Sequence, residues 1–289
     1  MMTPVDSPEA DRPDARSPEI IAASMPVARA LCRRYFRLRV EGLDRLPEGP
    51  VLLVGNHNNG LAGPDILCTL STLWDARGPE APLYALAHDF AMRQLTAFGA
   101  VISRFGALRA TRDNARRALG AGASVLVYPG GDLEAYRHFR RRDEVILGPR
   151  TGFVTLAREA GVPIVPVVAQ GAHRSAIVLH EGEGIARRLG LKRWARVERF
   201  PLALALPWGL AAGPWLPWLP LPFSIRLRFL APVRPGDTLT IAWTVDALVA
   251  KPKHGAGVVE LSGSATNQDG IVAALATGKI MVFVKGKGP

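Results

Sequence analysis

A histidine at the end of an apolar run, with an aspartate eight residues on, is where chemistry could first reside in this sequence. The stretch is Val54-Gly55-Asn56-His57-Asn58-Asn59-Gly60-Leu61-Ala62-Gly63-Pro64-Asp65. A histidine near a carboxylate suits general base work, because the carboxylate fixes the tautomer and stabilises the imidazolium. The structural alternative stays open here: a packed histidine, with Asp65 serving only as a helix N-cap. A second place is Tyr128-Pro129-Gly130-Gly131-Asp132. Glycine there lets backbone N–H groups approach a ligand closely, or merely makes a turn. Between them, Gly106 precedes Arg109 and Arg112 just ahead of a helix start at Thr111. Arginines so placed can hold a phosphate with help from the helix N-terminus, or simply be helix-end charge. Cys68 lies in an apolar helical stretch and reads as core. The remaining histidines show no paired metal spacing, and His173 reads as structural.

These residues need elements to hold them. Residues 50–54 read as a buried strand and 64–76 as a helix. Residues 83–88 and 100–103 are strand candidates. A helix over 111–121 capped by Thr111, a strand over 124–128, a helix over 150–160 and a strand over 163–169 follow. Short apolar strands alternating with helices predict an α/β fold with at least partly parallel pairing. In such folds catalytic groups collect at the carboxyl ends of strands, where His57 stands.

With 289 residues, 48% of them hydrophobic and 21% charged, the chain can bury a core, so disorder of the whole chain is excluded. Two cysteines exclude a disulfide scaffold and a four-cysteine zinc site, and fit a reducing compartment. The first 20 residues hold five acids and four prolines, the reverse of a secretory leader, and residues 1–18 are expected to be a disordered tail. The net charge of +11 calls for an anionic partner, and its distribution says which. Five arginines and no acid lie between Arg29 and Arg39, on a basic amphipathic helix expected over 19–40. That helix can lie on a membrane or pack as an ordinary helix. Six basic residues and one acid lie in 187–199, beside 23 uncharged residues at 201–223. The latter are long enough to span a bilayer, but six prolines oppose a straight helix and three tryptophans suit an interface. Membrane contact is favoured there over a buried apolar hairpin. No nucleic-acid-binding pattern appears.

Taken together, Asn56-His57, Gly106 with Arg112, Pro129 with Gly131, and Pro166 on its apolar strand resemble the four motifs of the glycerolipid acyltransferase superfamily. Its type member is the PlsC-like 1-acylglycerol-3-phosphate acyltransferase, and the resemblance covers about residues 40–232, as a domain over 41–232. It implies a PlsC-like sheet flanked by helices, with the N-terminal helix before it and an antiparallel β segment after it. It implies His57 as general base oriented by Asp65. It also implies substrate contacts at Asn56, Gly106, Arg109, Arg112, Pro129, Gly130, Gly131 and Asp132, with an oxyanion held by N–H groups near Gly130 and Gly131. The acyl donor is acyl-CoA, the acceptor a glycerolipid hydroxyl, and no cofactor or metal is required. The expected location is the cytoplasmic face of a membrane, as a peripheral or monotopic protein on its anionic surface. Two departures stand out. Seven residues, not four, separate His57 from Asp65, and Gly130 replaces the family's glutamate. Asp132 or Glu134 is the candidate replacement carboxylate. This form looks like a divergent branch acting on acylglycerols.

Residues 233–289 change character. Strands are expected at about 238–249, 257–267 and 271–284, separated by turn signals. Arg234-Pro235-Gly236-Asp237-Thr238-Leu239 and Thr266-Asn267-Gln268-Asp269-Gly270 resemble part of a MaoC-like hotdog domain, without the hydratase helix. The segment could mediate self-association through an exposed edge. It also keeps two other readings alive: a thioester hydrolase or hydratase, and a lipid-binding protein without activity.

Overall fold

Leu52 and Leu53 are adjacent in sequence and both fully buried. Successive side chains of a strand face opposite ways, so this strand has a core on each side. The computed structural model, which describes residues 11–58, 60, 63–214, 219–252 and 256–283, shows why. The chain runs through α1 (Pro18–Ala30), β1 (Arg39–Glu41), β2 (Leu52–Gly55), α2 (Pro64–Arg77), β3 (Leu83–Ala87), α3 (Thr96–Arg104) and β4 (Ala107–Arg109). It continues through α4 (Arg112–Gly120), β5 (Ser124–Val127), α5 (Gly131–Ala135), α6 (Gly152–Ala160), β6 (Ile164–Gln170) and β7 (Ile177–His180). After these come α7 (Glu183–Arg188), α8 (Leu191–Trp194), β8 (Leu202–Ala205), β9 (Gly209–Ala212) and β10 (Arg226–Phe229). The last strands are β11 (Thr240–Lys251), β12 (Ala256–Thr266) and β13 (Val272–Phe283).

Seven strands form the central sheet in the order β1-β10-β6-β2-β5-β3-β4. All its pairings are parallel except β10 against β6. One face is covered by α1 and α2, through Ile21, Met25, Cys32, Phe36, Leu73 and Trp74 against Leu53, Leu126 and Phe229. The other is covered by α4 and α6, through Ala115, Leu119 and Leu156 against Leu52 and Val125. Helix α4 starts where the sequence says, with Thr111 Oγ1 accepting the Asn114 N–H at 3.2 Å.

Four expectations change. Residues 100–103 are helical, inside α3, where the Ser103 hydroxyl donates to the Gly99 carbonyl one turn back. A four-residue apolar run cannot by itself separate strand from helix. The strand in this region is β4 instead. The tail is ordered over residues 11–18: Pro13–Ala15 make a 3-10 turn, and the Arg16 guanidinium donates to the Ala81 carbonyl at 2.8 Å. Residues 1–10 lie outside the described part. The helix expected over 19–40 stops being α at Ala30, adds one π turn over Leu31–Tyr35, and gives way to β1. Its apolar stripe packs on the sheet, as an ordinary packing helix does.

The uncharged segment is the fourth. Residues 202–212 form the β8–β9 hairpin, which pairs with β7 in a small second sheet. Its inner face is small: Ala203, Ala205 and Ala211 pack on Ala135 and Tyr136 at the end of α5. Its outer face exposes Leu204, Leu206, Trp208 and Leu210. The inner face is thus a buried apolar hairpin, while the outer face stays exposed and apolar. Residues 215–218 lie outside the described part. The three C-terminal strands fall within three residues of expectation and pair as an antiparallel meander.

Candidate active site

Strand β2 ends at Gly55 and β5, its neighbour, ends at Val127, so the loops carrying His57 and Gly130 leave the sheet side by side. Asp65, in the first turn of α2, faces the imidazole. His57 Nδ1 lies 3.0 Å from Asp65 Oδ2. Asp65 is fully buried, while 14% of the His57 side chain is exposed. Asp65 Oδ2 also accepts the Asn58 N–H at 3.1 Å. The carboxylate accepts, so Nδ1 carries the proton and Nε2 is left with its lone pair. The longer gap between the two residues does not prevent the pairing. Residues 61 and 62 of that gap lie outside the described part.

The loop itself is tied down by α5. Glu134 Oε2 accepts the His57 backbone N–H at 2.8 Å, and Oε1 accepts the Ile146 N–H at 3.2 Å. Arg137, just beyond α5, donates to the His57 carbonyl at 2.9 Å and to Asn58 Oδ1 at 2.6 Å. It also donates to the carbonyls of Glu134 and Arg142. Burial pushes the Glu134 carboxyl upward, and the Arg137 guanidinium pulls against it. The two departures noted above meet here. A Cβ on Gly130 would overlap the Glu134 carboxylate, so glycine at 130 is what admits Glu134 to the site. Of the two candidate replacement carboxylates, Glu134 is the one bound to the histidine loop. Asp132 turns away: its Oδ2 accepts the Glu198 N–H.

The histidine ring is backed by Tyr128, with centroids 4.9 Å apart and planes 30° apart. A Cβ on Gly55 would strike the Tyr128 ring, so glycine there makes room for it. Pro129 and Gly130 present their carbonyls to Arg150 Nη1, each at 3.0 Å. The Gly131 N–H closes the turn onto the Tyr128 carbonyl at 3.1 Å, so that group is already engaged and does not face a substrate.

The other expected contacts lie further out. Asn56 Oδ1 accepts the Ala169 N–H of β6 at 2.8 Å, which anchors the loop to the sheet. Gly106 (φ +81°) is the turn into β4, packed on the Leu83 carbonyl. Arg109 stands at the end of β4, three strand spacings or roughly 14 Å across the sheet from β2. It forks onto Asp11, whose carboxyl it holds low. Arg112 pairs with Glu159 on α6. The structure therefore does not gather these arginines beside His57. Arg150, which the sequence did not single out, is the arginine at the glycine turn.

The remaining described histidines are occupied in local structure. His88 Nδ1 accepts the Phe90 N–H, His138 Nδ1 that of Arg140, and His180 Nδ1 that of Gly182. His173 lies 2.9 Å from Asp143, and burial holds it down at about 4, so it is neutral near pH 7. Among the described residues, no cluster of three or more His, Cys, Asp or Glu could hold a metal ion.

Residues 37–170 match the family model described as Acyltransferase. An uncharacterized protein of Mycobacterium tuberculosis is 28% identical over 213 residues, 73% of this chain and 56% of that one. A DGAT1/2-independent enzyme synthesizing storage lipids from Homo sapiens is 27% identical over 166 residues, 57% of this chain and 47% of that one. The chain thus spans about half the length of these curated relatives. Among solved structures, the 1-acyl-sn-glycerophosphate (LPA) acyltransferase PlsC from Thermotoga maritima is similar at 18% identity and a TM-score of 0.43. That likeness covers 75% of this chain and 72% of that one.

Proposed function

We propose, because residues 37–170 match the family model described as Acyltransferase, that this chain moves a fatty acyl group from acyl-CoA to a glycerolipid hydroxyl. The observation that carries the reading is the 3.0 Å contact of His57 Nδ1 with the buried Asp65, on the loop beyond β2. His57 Nε2 takes the proton of the acceptor hydroxyl. The freed oxygen attacks the thioester carbon, and the carbonyl oxygen becomes an oxyanion. As that tetrahedral intermediate collapses, the C–S bond breaks. The imidazolium returns its proton to the departing sulfur. An ester and free CoA result, with no covalent bond to the protein. Asp65 stabilises the imidazolium while it exists.

The acceptor we favour is an acylglycerol. The storage-lipid enzyme among the relatives supports this by its name, and so does the engagement of Arg109 and Arg112 by Asp11 and Glu159 away from His57. Incubation with one acyl-CoA and vesicles holding monoacylglycerol, diacylglycerol and lysophosphatidate, followed by lipid mass spectrometry, tests it. Ester formation on an acylglycerol is the expected result. CoA release with no acylated lipid would establish a hydrolase instead.

The proposed location is the membrane surface, through the outer face of the β8–β9 hairpin. That hairpin packs directly on α5, so the apolar face and the histidine loop share a support. Basic residues adjoin it at Arg187, Arg188, Lys192 and Arg193, where Ile185, Leu189 and Trp194 are exposed among them. Among the described residues, no helix is long and apolar enough to cross a membrane. Leu206→Glu with Leu210→Glu removes two inserted side chains. Burial of a leucine is worth about 1.5–3 kcal/mol, so vesicle affinity should fall by at least about a hundredfold. Sedimentation with phosphatidylglycerol vesicles measures it, and unchanged partitioning would rule the hairpin out.

A further inference from the structure

The C-terminal meander has two unlike faces. Residues opposite each other in an antiparallel pair point to the same side. The register therefore places Ile241, Trp243, Val245 and Leu248 of β11 on one side, with Leu261 of β12 and Ile280 of β13. Every other position on that side is Ala, Gly or Val. Not one polar side chain interrupts it, over five positions on each of three strands. The opposite side is mixed: Val249, Val258, Leu275, Met281 and Phe283 are interrupted by Thr240, Thr244, Ser262, Ser264, Thr277 and the Glu260–Lys279 ion pair. The apolar side is open: Ile241 is 67% exposed and Leu248 76%. A three-stranded sheet needs an apolar face covered to be stable, and a patch this size marks a contact surface.

We propose that a second copy of this chain covers it, face to face, in a two-fold sheet-on-sheet dimer. Such a dimer requires nothing of His57.

Four features favour a second copy over lipid. The first is area. Three strands about 4.8 Å apart and about 36 Å long present roughly 500 Å² each, so two copies bury about 1,000 Å², the level a specific interface must reach. The second is charge. The chain carries +11, yet none of it lies on this face, so isologous stacking brings no like charges together. The third is relief. The bulky side chains of β11 make a ridge, whereas Ala265, Ala274 and Ala276 make a low trough beside it. A two-fold operation sets each ridge against the other copy's trough. The fourth is the sheet's edges. Among the described residues β11 and β13 each pair on one side only, so both outer edges carry open N–H and C=O groups. Water at the rim of a dimer serves such groups, and hydrocarbon does not. Nor does this face carry arginines beside it, as the hairpin does.

Sedimentation equilibrium of the full chain, with Leu248→Glu/Ile280→Glu beside it, is the test. The expected result is a wild-type dimer and a monomeric variant with an unchanged circular-dichroism spectrum, while Leu206→Glu/Leu210→Glu remains dimeric. A third variant, Leu261→Cys, sits at the middle of the face and should cross-link to itself with a short bismaleimide, because Cys32 and Cys68 are buried. It decides the matter even if the charged variant fails to fold. A monomeric wild type, a dimer indifferent to Leu248→Glu/Ile280→Glu, or no cross-link through residue 261 would each overturn the proposal. Loss of vesicle binding by a charged variant of a monomeric protein would assign the face to lipid instead.

Discussion

His57→Ala is expected to lower acyl transfer by roughly 10²–10⁴-fold in kcat, the usual contribution of a positioned general base. It should leave the fold in place. The loop is held through the His57 backbone, whose N–H goes to Glu134 and whose carbonyl receives Arg137, and neither bond uses the imidazole. The side chain itself contributes its contact with Asp65 and its stacking on Tyr128. Asp65 retains the Asn58 N–H when the ring is gone. Parallel measurements of transfer to acylglycerol, acceptor-free CoA release and thermal melting separate the outcomes. If transfer survives in His57→Ala, the base is elsewhere. If transfer is lost together with cooperative melting, the residue is structural. If CoA release without acceptor persists at the wild-type rate, a hydrolase reading replaces transfer.

Arg137→Met should carry the largest stability cost, about 3–5 kcal/mol, because it leaves a buried charge without its partner. Arg137 is 5% exposed and donates to four residues: His57, Asn58, Glu134 and Arg142. Its loss strands those acceptors and removes the positive charge that acts on the buried Glu134 carboxyl. The pH dependence identifies the cause. Burial raises the folded-state carboxyl of Glu134 above its unfolded value, so the folded state binds that proton more tightly. Stability linked to this group is therefore fullest below the ordinary carboxylate range and is lost as pH rises through the folded value. Without Arg137 the carboxyl rises further. Denaturant midpoints should then show a deficit for Arg137→Met that is larger at pH 8 than at pH 5. A deficit equal at both values would mean that packing, not the unpaired charge, is responsible.

Much of the half around His57 was legible in the sequence because its signals are local. The apolar run ending at Gly55, the Thr111 cap and the Tyr128 to Gly131 turn each declare themselves within a few residues. The C-terminal strands were legible for the same reason, since turn residues punctuate long β-forming runs. The 100–103 run was not, because four apolar residues fit either period and the decision came from packing: Gly99 lies against the Met92 backbone, where a Cβ would collide. The uncharged 201–223 segment was ambiguous because a hairpin of small inward and large outward apolar residues shows no polar alternation.

What the sequence alone determined is the alternating α/β architecture and the placing of a histidine at a strand end with an aspartate eight residues on, since periodicity and spacing are properties of the chain itself; that the two pair was decided by the fold. Tertiary structure decided which groups converge. Arg109 and Arg112 look like companions of His57 in the sequence, yet strand order carries β4 away from β2 and each arginine meets its own acid, Asp11 or Glu159. Glu134 and Arg137 lie nearly 80 residues from His57, yet parallel pairing of β2 with β5 sets their loops side by side. A buried charge then requires a partner within hydrogen-bond reach, and only the folded sheet fixes which residues are that near.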